Sequence, residues 1–184
     1  NLTLHVLSSL TNLEGTYIVN ENQLIEKEIV SGVSYSKNES KLTISGIPDK
    51  PGISAIIFGL MASHNINVDM IVQNISQDGI TANMTFTVPL KDENIAKKIL
   101  DDKRDELNFS NLSTDSNIAK ISVVGMGMMS QSGVAEKMFK TLAENKINIL
   151  AISTSEIKIS VLIEKKYTEL AIKSLHNVYK LEKK

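Results

Sequence analysis

The stretch GISAIIFGLMASHNINVDMIVQNIS, from Gly52 to Ser76, returns in altered form as GVAEKMFKTLAENKINILAISTSE, from Gly133 to Glu156. Gly52/Gly133, Phe58/Phe139, Ala62/Ala143, Ile66/Ile147, Asn67/Asn148 and Ile71/Ile152 all match at one offset of 81 residues. Upstream, KLTISG (Lys41 to Gly46) and KISVVG (Lys120 to Gly125) align at an offset of 79, so the second copy has a strand-to-helix loop two residues longer. A repeat of about 80 residues is too long for a solenoid unit and suits a duplicated small domain.

Within the first copy, Leu42 and Ile44 alternate with polar residues as in a strand. Ile53, Ile56, Ile57, Leu60 and Met61 then recur at the spacing of an apolar helix stripe. Asn67 to Ser76 is rich in β-branched and apolar residues, Gln77 to Gly79 is a turn, and Met84, Phe86 and Val88 alternate with polar neighbours, which predicts a hairpin. Pro89 closes it; Ile95, Ala96, Ile99 and Leu100 predict a second helix, and Phe109 to Thr114 a returning strand. The order is βαββαβ.

The second copy follows the same course. A strand surrounds Ile121 and Val123, a helix carries Ala135, Met138, Phe139 and Leu142, and a hairpin runs from Ile149 to Glu164. A last helix carries Tyr167, Leu170, Ala171, Ser174, Leu175 and Val178, and the chain ends without a final strand. Ile29 to Ser36 is a spare strand ahead of the first copy, so it is expected to complete the second sheet, leaving the first module inserted within the second. Strands that alternate apolar with polar predict α+β modules, each an antiparallel four-stranded sheet with two helices on one face. The opposite sheet face is left for solvent or a partner.

Composition narrows the chemistry. A length of 184 residues admits one domain or two small ones. With 20 Lys+Arg against 21 Asp+Glu, a net charge of −1 gives no field to gather a polyanion. Zero Cys excludes disulfides, thiolate metal sites and cysteine nucleophiles and points to a reducing compartment, while three scattered His (His5, His64, His176) leave little for a metal. Aromatics are 4% with no Trp, so base stacking is poorly supplied. An RNA-binding reading of the βαββαβ order fails because TANMTFTV carries one Phe and EIKISVLI none. No apolar run reaches the roughly 18 residues of a membrane span, and the start lacks a signal peptide, which predicts a cytoplasmic protein with no membrane partner. The chain begins at Asn1 without an initiator Met, as expected of a piece of something longer.

Gly125 to Gly133, GMGMMSQSG, lies between a strand and a helix but lacks the GxGxxG spacing and is read as a connecting turn. Asp101 and Asp102 sit on a charge-dense helix and read as a solvated face; His64 reads as a partner of a helix C-terminus. Met126, Met128 and Met129 read as loop packing. The equivalent loops PDKPG (Pro48 to Gly52) and SQSGV (Ser130 to Val134) are more informative. Each leads into a helix, whose unpaired N–H groups and positive dipole end suit a carboxylate, and Gly52 and Gly133 permit close approach. An amino-acid zwitterion also needs an acceptor for its ammonium; Asp69, Gln73 and Asn74, or Thr154 and Glu156, are candidates. The simpler reading of the first loop is Asp49 as N-cap with Pro51 in the first turn, and the two are compatible.

SGVSYSKNESKLTISGIPDKPG, INVDMIVQNIS, KISVVGMGM and NILAISTSEIKISVLIE together resemble the C-terminal regulatory region of aspartokinases, a tandem pair of ACT domains. The resemblance covers Glu28 to about Val178, and the segment from residue 1 to 20 resembles the last strands of the family's kinase domain. It implies two ferredoxin-like ACT domains, one at 41–116 and one from 29–40 plus 117–184, after a kinase remnant and connector at 1–28.

It further implies that this chain alone has no catalytic residues, metal or cofactor. Lysine or threonine would be its allosteric ligand, and the parent would be an aspartate kinase using ATP and Mg. The implied partners are a second copy, as a homodimer through ACT domains, the parent's kinase domain, and the effector. By position, one pocket would use Asp49, Lys50, Pro51, Gly52, Ile53 and Ser54 with Asp69, Gln73 and Asn74. The other would use Met129, Ser130, Gly133, Val134, Asn148 and Ile149, with Thr154 and Glu156 reaching a facing pocket. Two departures stand out: Ile53 and Ser54 are often smaller or acidic in the family, and SQSG replaces a commoner Ser-His/Ala-Pro-Gly turn. A constitutive dimerisation module, or a separate regulatory subunit that binds no ligand, is the alternative.

Overall fold

A computed structural model describes residues 4–11, 13–18, 29–129 and 132–181. In chain order the elements are β1 (Leu4–Val6), β2 (Thr16–Ile18), β3 (Gly32–Ser36), β4 (Glu39–Pro48), α1 (Ile53–Ser63), β5 (Asp69–Ile75), β6 (Thr81–Pro89), α2 (Glu93–Asp102), α3 (Arg104–Leu107) and β7 (Asn111–Asp115). There follow β8 (Ile118–Val124), α4 (Val134–Glu144), β9 (Ala151–Thr154), β10 (Lys158–Glu164) and α5 (Thr168–Tyr179). β1 and β2 form a hairpin of their own.

Two antiparallel four-stranded sheets result, ordered β5-β6-β4-β7 and β9-β10-β8-β3. β3 pairs with β8 from Gly32 opposite Val124 to Ser36 opposite Lys120. It thereby takes, in the second sheet, the edge place that β7 holds in the first. Gly125 is what lets the chain reach that edge: a side chain there would collide with the backbone of Ile29 and Val30. The glycine of the GMG stretch thus serves packing, which fits the reading of a connecting turn.

Alternation puts Leu42 and Ile44 of β4, and Met84, Phe86 and Val88 of β6, on the face covered by α1 and α2. Phe86 meets Phe58 of α1 edge-on at 5.4 Å. A second core gathers Ile121 and Val123 of β8, Val161 and Ile163 of β10, Met138 and Leu142 of α4, and Ala171 and Leu175 of α5. Cutting one such fully buried side chain to Ala costs about 2 to 5 kcal/mol. The helix stripes are narrower than their sequence period. Ile56, Ile95 and Leu170 fall on the predicted stripes yet are 43%, 52% and 43% exposed, because a helix lying on a sheet buries about one residue per turn and half-buries its flanks.

The sheet faces away from the helices are not left wholly to solvent. A third cluster, Met70, Ile118 and Leu162 with Leu150 and Ala151 against it, joins the first module to the outer face of the second sheet. Met70 reaches it from a bulge between Asp69 and Val72, where its backbone takes the left-handed conformation (φ 47°) at a cost of about 1 kcal/mol or more. On the same outer face Ser122 and Ser160 satisfy each other across 2.8 Å.

Candidate functional site

α1 and α4 begin in the same way. The residue at each N-cap is a left-handed glycine, Gly52 at φ 95° and Gly133 at φ 93°. Asp49 is therefore not the cap of α1; its own N–H donates to the Ile80 carbonyl at 2.9 Å. A glycine cap has no side-chain oxygen to offer, and neither helix has a side-chain cap; in α1 the Ile53 N–H donates to the Lys50 carbonyl at 3.3 Å. Among the described residues, a Cβ at either glycine would meet nothing within 4 Å.

At the α1 opening, Asp49, Lys50, Pro51 and Gly52 are exposed and Ile53 and Ser54 are half-buried. The Ser54 hydroxyl donates to Gln73 Oε1 at 3.0 Å, which brings the loop and β5 together. Asn74 alternates to the other side of β5, where it stands opposite Asn83. Asp69 lies four residues from Gln73, about 13 Å along a strand, and the structure does not bring it to this opening.

Asp69 instead accepts a hydrogen bond from Lys120 of β8 at 2.6 Å. Lys120 also pairs with Glu39 of β4, so one ammonium from the second module bridges two carboxylates of the first. The hydrogen bond from Lys120 holds the Asp69 carboxyl below the usual aspartate range, against the opposing effect of burial. For Lys120, burial pulls the ammonium down, but the bonds to Asp69 and Glu39 together carry it above the ordinary lysine value. The second oxygen of Glu39 is buried without a hydrogen-bond partner among the described residues. Of this ion triad the sequence offered only Asp69, and as an effector contact; the signal for the pairing is a lysine inside the apolar run IAKISVV, Ile118 to Val124.

A cleft of about 500 Å³ lies beside the α4 opening, lined by Gly133, Val134, Thr154, Ser155 and Glu156 with apolar walls from Met128 and Ile159. Four of the residues carried over from the resemblance thus share one cleft within a single chain. Ser132 and Ser155 join them, and both lie between residues already singled out. Asn148 and Ile149 sit past the far end of α4, on the way to β9, and are not in this lining. Ser130 and the side chain of Met129 lie outside the described residues. The cleft thus brings the first turn of α4 together with Thr154 and Glu156, residue types that supply donors for an anion and acceptors for a cation.

His64 ends α1 with Nδ1 2.9 Å from the Leu60 carbonyl, as a C-terminal partner of the helix would. Among the described residues, no group of three or more His, Asp or Glu side chains converges as a metal site. No helix among them is long and apolar enough to cross a membrane.

Two ACT domain models match the chain, at residues 42–108 and 121–179. An aspartate kinase of Pseudomonas fluorescens (strain SBW25) is 46% identical over 183 residues, which is 99% of this chain and 44% of that protein. The chain therefore spans less than half the length of such relatives. A crystal structure of aspartokinase alpha and beta subunits superimposes with a TM-score of 0.76 at 45% identity, over 82% of this chain and 99% of the matched one. E. coli aspartokinase III, crystallised with lysine and aspartate, shares the fold at 22% identity and a TM-score of 0.70, over 95% of this chain and 38% of that one.

Proposed function

We propose, from the premise that this chain belongs to the aspartokinase family as its paired-ACT regulatory region, that it senses lysine or threonine and transmits their binding as feedback inhibition. One observation supports this most directly. The opening of α4, capped by a left-handed glycine, faces a cleft that gathers Gly133, Val134, Thr154 and Glu156. The effector's carboxylate rests on the first-turn N–H groups of α4, and its ammonium, or the lysine side chain, turns to Glu156 and Thr154. The α1 opening, with Gly52, Ser54 and Gln73, is a second site of the same kind. The E. coli relative crystallised with lysine makes that amino acid the first to test.

The activity regulated is ATP- and Mg-dependent phosphorylation of aspartate, carried out by a kinase domain outside residues 29–184. β1 and β2, whose Leu4, Val6, Tyr17 and Ile18 are all about half exposed, suit contact with that domain. The first ACT domain comprises 41–116, inserted between 29–40 and 117–184 of the second. An effector that favours one arrangement of the modules by about 1 to 3 kcal/mol changes the parent's activity about 5- to 150-fold without touching substrate. A homodimer through the ACT domains is supported by apolar residues turned outward on α1, β5 and the turn after it: Ile56, Ile71, Ile75 and Ile80.

Titration calorimetry of this chain with L-lysine and with L-threonine tests the reading. Heat of binding with one of them, weakened by Gly133→Val for the α4 cleft or Asp49→Ala for the α1 loop, supports it. Silence with both leaves a dimerisation module that binds no effector.

A further inference from the structure

We propose that Tyr179, at the end of α5, is a positioning residue for the α4 cleft: its hydroxyl holds the first carbonyl of α4 and so fixes the turn on which the effector's carboxylate rests. The inference rests on the effector reading above. The Tyr179 hydroxyl donates to the Val134 carbonyl at 2.7 Å, joining residues 45 apart in sequence. Val134 lines the effector cleft and also a second cleft of about 530 Å³ on the other side of the opening, where Tyr179, Val178, Ile29 and Val30 form the walls. Tyr179 thus stands behind the turn whose front faces the ligand.

That turn needs an external brace. Its cap is Gly133, which has no side chain to lock it and which holds a backbone conformation that glycine adopts without strain. A helix start of this kind frays unless something fixes its peptide planes, and loose N–H groups bind an anion less well because their ordering is charged against binding. The tyrosine ring is itself anchored: it packs against the second core, and the Lys137 ammonium stands 5.3 Å above its centroid. The hydroxyl is therefore delivered by a fixed ring to a fixed acceptor, and the C-terminal helix is tied to the mouth of the cleft.

Tyr179→Phe removes the hydroxyl and keeps the ring. In this chain, the dissociation constant for whichever of L-lysine and L-threonine binds should rise about threefold to tenfold. Two comparisons separate positioning from mere loss of stability. Ile163→Val, in the same core, lowers the thermal midpoint but leaves affinity within about twofold. In the ligand-free protein, the amide resonances of Gly133, Val134 and Ala135 should shift in Tyr179→Phe and not in Ile163→Val. Unshifted amides overturn the proposal whatever the chain binds; shifted amides with unchanged affinity also overturn it. Wild-type protein that binds neither amino acid defeats the effector reading instead, and the amide shifts alone then decide whether Tyr179 fixes the turn.

Discussion

The openings of α1 and α4 share a backbone and differ in their surroundings. Gly52 and Gly133 have nearly the same φ, and Ile56 and Lys137 each donate to the capping glycine's carbonyl at 3.0 Å. Around α4, however, the β9–β10 turn brings Thr154, Ser155 and Glu156 into a cleft, and Tyr179 braces the helix from behind. Around α1, Gln73 of β5 binds Ser54 directly. Duplication has preserved the glycine-capped helix start and let the walls diverge, which is how one fold comes to present two unequal openings.

The largest effect is expected where the two modules meet. Lys120→Met leaves Glu39 and Asp69 without their shared cation. Glu39 is mostly buried while Asp69 is 52% exposed and water-screened, so the loss is about 2 to 4 kcal/mol, read as a fall in denaturant midpoint. If Lys120→Met with Glu39→Gln does not recover part of that loss, the triad is not what joins the modules. Amide shifts at both openings would show that the seam serves them equally; a change at one alone would make the comparison sharper.

Next comes Gly133→Val, which places a β-branched residue in left-handed backbone at a cost of about 1 to 3 kcal/mol and should lower affinity at the α4 cleft at least tenfold. Gly52→Val should cost the same stability, so a difference between the two in calorimetry ranks the sites. A smaller effect appears at the pH extremes. Burial, with Glu136 nearby, pushes the Tyr179 phenol up from 10.0 to about 12. The native state then holds that proton more tightly than the unfolded chain, so its contribution is complete below pH 10 and is lost as pH rises from 10 through 12. For Asp69, held below 3.8, the contribution is present above that value and is lost as pH falls beneath it; Lys120→Met should abolish the acid part. Smallest is Ser54→Ala, an exposed hydrogen bond worth about 0.5 kcal/mol in a thermal melt.

The repeat, the βαββαβ order and the need of a second sheet for one more strand were legible because each is written in local periodicity or in a mismatch of counts. Less legible was what depends on distant partners. Lys120 meets Asp69 across 51 residues and Glu39 across 81, and no local pattern announces either. Ile56, Ile95 and Leu170 match helical spacing, but how wide a stripe is covered depends on the sheet beneath. The bulge at Met70 hides within a run that reads as unbroken strand, since positive φ at a methionine has no signature of its own. In the α4 cleft, Gly133 was legible as a helix-entry glycine and Thr154 and Glu156 as polar residues in a largely apolar strand, whereas Tyr179 contributes through a hydroxyl whose acceptor is backbone.

The pairing of β3 with β8 bears on the order of assembly. Val33 waits for Val123, 90 residues later, whereas every strand of the first sheet lies within the stretch from Glu39 to Asp115. A chain emerging from the ribosome can close its first sheet while β3 still lacks a neighbour, and pulse labelling should find β4 and β6 protected before β3. The early strand acts as a clasp left open until the rest of the necklace has passed through.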